Sequence, residues 1–187
     1  NMSALGEKNA ILMLIQDTTN GETSLFNEFI KLIQSEYASL ALWNMSNLLQ
    51  TLPDMFLPQI NQSLITYLID ISETSNFQVK KEASFFLATV IISGPIELAI
   101  KFTESQTLID VFSEILDCDD KKVIIRCLIA IARMVKAIEL QKGASAVCEF
   151  FNSGDFGKQL DNLSHKYTDI MGFVSSFQKY ASIEEQY

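Results

Sequence analysis

Trp43 and Asn47 are the residues of this 187-residue chain whose types and spacing most directly suggest chemistry. They lie four positions apart within Glu36 to Leu49, EYASLALWNMSNLL. On a helix that spacing places them on one face, one turn apart. An indole face attracts a cation and packs the aliphatic stem of Lys or Arg, an effect of about 0.5–2 kcal/mol. A carboxamide offers a donor and an acceptor, which a peptide group needs once water leaves it. The pair can therefore clamp one peptide unit and one basic side chain of an extended guest. Each residue also has a plain structural reading, Trp43 as core between helices and Asn47 as a helix-surface residue or an internally bonded amide.

The helix that positions them is apolar on most of its circumference, through Leu40, Leu42, Met45, Leu48 and Leu49. Such a helix must be buried on most sides, leaving the Trp/Asn face open. Apolar periodicity predicts further helices along the chain. These fall at 8–16, 23–34, 63–72, 79–92, 95–102, 108–116, 122–137, 144–151, 157–163 and 166–180. Turns are expected at 18–21, 73–76 and 153–155, with a broken segment between Pro53 and Pro58. Pro95 suits the first turn of a helix, and Asp119-Asp120 offers an N-cap for the next long one. The last residues, 183–187, read as a solvated acidic tail.

The order short helix, medium helix, long helix repeats. Aligning the long helices places Phe85 and then Ile129 where Trp43 stands, in steps of 42 and 44 residues, with a further step near Phe173. A period of about 40–47 residues with two or three helices per unit is the armadillo/HEAT pattern. Each unit exposes an apolar face, so neighbours stack. The expected fold is all-α, an armadillo-type α-α superhelix (solenoid) of about four three-helix repeats in one domain, residues 1–187. Its units span about 7–51, 52–93, 94–137 and 138–182.

Composition supports this and excludes other classes. The hydrophobic fraction of 48% can fill a large core, and seven glycines and three prolines are too few for an all-β sandwich. Fourteen Lys+Arg against 23 Asp+Glu leave a formal charge of −9, which disfavours nucleic acid and favours a basic partner. The basic pairs Lys80-Lys81 and Lys121-Lys122 are too short for a nucleic-acid patch. Cys118, Cys127 and Cys148 form no CxxC spacing and read as small buried hydrophobes in a reducing compartment. With one histidine, His165, and no Ser-His-Asp set, metal cluster or phosphate-cradling Gly loop, the chain is not expected to be an enzyme or to need a cofactor. No signal peptide or run of roughly 20 apolar residues is seen, so no membrane association is expected.

Several motifs together resemble the importin-α (karyopherin-α) family. Ala41 to Asn47 resembles the third-helix W-x-x-S-N motif of its armadillo repeats, and Asn76 to Ala83 resembles F-x-x-x-K-E-A opening the third helix of the next. Leu116 to Ile124 is similar to L-L-x-x-x-D-x-x-I-I of the unit after that. Gly154 to Leu163 is similar, with gaps, to G-G-L-D-K-I-x-x-L, and Gln178 to Glu185 to the closing E-K-Y-F-S-x-E-E. The resemblance spans nearly the whole chain, and the motifs are collinear with the carboxy-terminal armadillo units. It implies a nuclear import adaptor moving between cytoplasm and nucleus. Its concave groove would bind basic nuclear localisation signal peptides, and its carboxy-terminal end would contact a recycling exportin of the importin-β superfamily. It also implies a fragment lacking the amino-terminal importin-β-binding segment and first units, which leaves the minor signal site.

By the same resemblance Trp43 and Asn47 are the peptide clamp, and Glu82 is a carboxylate receiving basic tips, unless it is only a solvated charge paired with Lys80 or Lys81. The next ladder positions fall on Phe85 and Thr89, where an aromatic face survives but the amide does not. In the following unit Ile129 and Arg133 take these places, and a cation at Arg133 would repel a basic guest or reserve the groove for an acidic one. The alternative function is a general armadillo protein–protein interaction scaffold with no nuclear-signal binding.

Overall fold

In a computed structural model of the chain, residues 25–153 and 156–168 are described, with Gly172 and Ser175 besides. The expected helix at 8–16, the turn at 18–21, the tail at 183–187, Phe173 and most of the helix at 166–180 lie outside the described residues. Within them the chain is all-helical, with no strand. The helices are α1 (Leu25–Ile33), α2 (Ala38–Thr51), α3 (Pro53–Phe56), α4 (Gln62–Thr74), α5 (Phe77–Ser93), α6 (Ile96–Thr103), α7 (Gln106–Leu116), α8 (Lys121–Lys142), α9 (Ala144–Ser153) and α10 (Phe156–Lys166), with a 3-10 turn at Leu57–Gln59.

Side-chain caps set the starts of the central helices. The Asn61 carboxamide oxygen accepts from the Leu64 amide at 2.9 Å, and that of Asn76 accepts from the Val79 amide at 3.1 Å. The Ser105 hydroxyl accepts from the Leu108 amide at 3.3 Å. Asp120 accepts from the amides of Lys122 and Val123 at 3.2 and 3.4 Å. Each cap satisfies donors that a helix start leaves without partners. Asn61 and Ser105 are 44 residues apart, as are Asn76 and Asp120. The helix pairs α4–α5 and α7–α8 therefore begin with the same spacing between their caps.

The long helices α2, α5 and α8 lie side by side, with α5 in the middle. The medium helices α4 and α7 pack on α5 and on each other, and α10 continues against α7. Short α6 closes against α8 and α5. Helix α5 is thus enclosed by α2, α8, α4 and α7. Between Glu82 and Ile91 every residue is buried except Phe85. Its hydroxyls return to their own helix, Ser84 donating to the Lys80 carbonyl and Thr89 to that of Phe85, both at 2.8 Å. Ser46 of α2 does the same to Leu42 at 2.9 Å. Small residues with internally satisfied hydroxyls let the long helices approach closely without stranding a polar group.

Two expectations about helix ends are corrected. The helix expected to stop at 137 runs on to Lys142, because Ile138 continues the buried stripe. It stops at Gly143, whose φ of 84° suits glycine at a helix C-terminus. Pro95 precedes α6 instead of occupying its first turn. The chain between α5 and Pro95 is tight. A Cβ on Gly94 would lie 2.7 Å from Leu98 Cδ2 and 2.9 Å from the Val90 carbonyl oxygen.

The largest buried side chains include Phe86 of α5, 1% exposed, whereas Leu40 of α2 is 56% exposed. Phe86→Ala should lower unfolding free energy by about 3–5 kcal/mol in urea titration. Leu40→Ala should stay within about 0.5 kcal/mol of the parent.

Candidate functional site

The layer of long helices carries a groove of about 710 Å³. Helix α2 lends it Trp43, Asn47 and Gln50, and α5 lends Lys81, Glu82 and Phe85. Helix α8 lends Lys122, Val123, Ile125, Arg126 and Ile129, and Asp120 stands at its start. Four of the five residues expected to hold a guest, Trp43, Asn47, Glu82 and Phe85, therefore line one groove.

The α2 wall is open. Trp43 is 52% exposed, so its indole is not core between helices. Asn47 is exposed, and its carboxamide has no partner among the described residues. Its backbone carbonyl accepts from the Thr51 hydroxyl at 2.8 Å, which leaves the side chain free. One turn of α2 thus offers a bare aromatic face and an unused donor–acceptor pair.

The floor is closed by charge pairing. Lys81 Nζ lies 3.0 Å from Asp120 Oδ2 and 3.6 Å from Glu82 Oε1, and Gln78 donates to Glu82 at 3.3 Å. Burial works against the Lys81 charge, but Asp120 and Glu82 outweigh it and raise its pKa. Burial raises the Glu82 carboxyl above its ordinary range, with Lys81 pulling the other way. For Asp120 burial also opposes the charge, but the Lys81 bond and the α8 amides prevail and hold its pKa below the ordinary value. Glu82 is therefore neither a solvated charge nor a free carboxylate at the rim.

The α8 wall holds a feature that linear spacing did not reveal. The Arg126 guanidinium lies over the Phe85 ring, 5.2 Å from its centroid, and donates to Gln50 Oε1 of α2. Phe85, expected to offer its face to a guest, already holds a cation of the chain itself. Burial lowers the Arg126 pKa, and the group stays charged at neutral pH. Thr89 is corrected: it is fully buried, bonded to Phe85, and does not reach the groove. Arg133 is also not a groove cation, because it donates to the Gly94 carbonyl at the α5–α6 turn.

Cys118, Cys127 and His165 do not line this groove. Cys118 and Cys127 are buried free thiols whose pKa values burial raises, the more strongly for Cys127. His165 is exposed on α10, 3.9 Å from Asp161. Among the described residues no cluster of His, Cys, Asp or Glu could hold a metal ion, and no helix is long and apolar enough to cross a membrane. No protein-family model matches the sequence, and comparison with curated proteins finds no match.

Asp120→Asn isolates the charge pair, because Asn caps a helix about as well as Asp. A carboxyl whose folded pKa is depressed stabilises the fold above its unfolded pKa, near 3.9, and loses that stabilisation as pH falls through the folded value. The variant should therefore be less stable than the parent at pH 7 by about 0.5–1 kcal/mol, since solvent partly screens the pair. In denaturation series at stepped pH the gap should close as pH falls below the ordinary carboxylate range and through the depressed folded value.

Proposed function

We propose that this chain is part of an importin-α-like adaptor, an armadillo-type superhelix whose groove binds basic nuclear localisation signal peptides as extended chains. The observation that carries this reading is the exposed Trp43 indole one turn from the unpartnered Asn47 amide, at the edge of a groove shared by three long helices. An extended peptide laid there would exchange water for the Asn47 amide and rest a Lys or Arg stem on Trp43. The short–medium–long succession α6, α7, α8 and the matched cap register support the armadillo arrangement. Contact of the carboxy-terminal end with a recycling exportin, and movement between cytoplasm and nucleus, follow from the family resemblance.

One observation favours the second reading, a general armadillo scaffold with no nuclear-signal binding. The Phe85 face is filled by Arg126 and Thr89 is buried, so a basic guest meets one complete clamp instead of a ladder.

Titration of a fluorescent Lys/Arg-rich signal peptide separates the two. Under the adaptor reading the parent binds at physiological salt. Asn47→Ala and Trp43→Ala should each weaken binding by about five- to tenfold, the loss of one or two hydrogen bonds or of one cation–π contact. No binding by the parent, or unchanged affinity in Asn47→Ala, would leave the scaffold reading.

A further inference from the structure

The distribution of charge within the groove says more about its guest than net charge does. Two carboxylates line the groove, Glu82 and Asp120, and both are committed to Lys81. The two cations of the α8 wall have no such match. Arg126 is held by a neutral amide and an aromatic ring, and it has no carboxylate partner among the described residues. Lys122 is exposed and its ammonium pairs with no described residue. Lys122 and Arg126 are four residues apart on α8, so they occupy one face. Lys122 also stands in the first turn, where the helix dipole disfavours a cation. An arriving carboxylate would relieve that repulsion and give Arg126 the charged acceptor that Gln50 does not supply.

We infer that the groove selects a peptide of mixed charge, with a Lys or Arg over Trp43 and an acidic side chain beside it against Arg126 and Lys122. The inference rests on the reading that an extended peptide lies at Trp43 and Asn47, and it narrows that peptide's class. A uniformly basic peptide would set its next cation against Arg126, over a ring already occupied. A Glu or Asp there would meet a guanidinium fork and an ammonium, with no resident carboxylate to displace. Arg126 then acts as a specificity residue, rejecting one charge and receiving the other.

Three labelled peptides of equal length, each with a central Lys flanked by Lys, Ala or Glu, test this by fluorescence anisotropy. The measurement is made at physiological salt, where screening within about 8 Å limits pull from the acidic surface. The Glu-flanked peptide should bind the parent about tenfold more tightly than the Lys-flanked one, with the Ala-flanked peptide between them. In Arg126→Gln/Lys122→Gln the difference should shrink to about twofold or less, and Arg126→Lys, which keeps the charge, should retain most of it. Equal or tighter binding of the Lys-flanked peptide by the parent would overturn the inference, as would a preference that survives the double Gln variant. Binding that Asn47→Ala abolishes, with no charge preference, would sink the mixed-charge guest alone and keep the groove. Failure of all three peptides to bind the parent would overturn both.

Discussion

The enclosure of α5 is the constraint on which the rest of the structure depends. A helix with α2 and α8 at its sides and α4 and α7 beneath it has little surface left for water. Its sequence answers with small or apolar side chains and with hydroxyls that bond back to the preceding turn. The exception in its buried stretch is Phe85, and the groove lies where that ring reaches the surface. Groove and core are thus two sides of one packing solution. The three helices are close enough to seal α5, and close enough for Arg126 of α8 to reach Gln50 of α2 across it.

Charge is organised around the same helix. Lys81 gathers both groove carboxylates, and Lys80 bonds Glu114 of α7 at 2.6 Å. Lys166, at the end of α10, bonds Asp119 in the α7–α8 turn at 2.7 Å. All of these ties but Lys81–Glu82 run between elements, and the acidic residues that make the chain −9 overall do not translate into an acidic groove. The lining holds three cations and two carboxylates. Overall charge governs distant attraction, whereas the local inventory governs which side chain is accepted at contact.

Much of the architecture was legible because periodicity and caps are local signals. The long helices, the Asp120 cap and the alignment that put Phe85 opposite Trp43 follow from spacing alone, and Phe85 does line the groove with Trp43. The open state of Trp43 and Asn47 followed from an otherwise apolar helix, whose remaining face has to meet water. Gly143 was a readable stop for α8, with Lys142 before it, and Ile138 carries the apolar period past 137 toward it. Thr89 was misplaced because four-residue spacing ignores how far a helix rotates relative to its neighbours. On α5 that position turns inward, where a short hydroxyl fits and an amide would not. Arg126 and Arg133 were illegible for a different reason. A long side chain chooses among partners up to 76 residues away, Gln50 for Arg126 and the Gly94 carbonyl for Arg133, and no local pattern encodes that choice.

Trp43 is the only tryptophan, so its emission reports on the groove without a label. The central claim is that this indole stands open to water in the free protein and is covered by a guest peptide lying along Asn47. Acrylamide quenching of intrinsic fluorescence, before and after saturation with a Lys-containing peptide, measures both halves. The account predicts red-shifted, readily quenched emission in the free protein, then a blue shift and reduced quenching in the complex. Blue-shifted, poorly quenched emission without peptide, or unchanged quenching once peptide is bound, would contradict it.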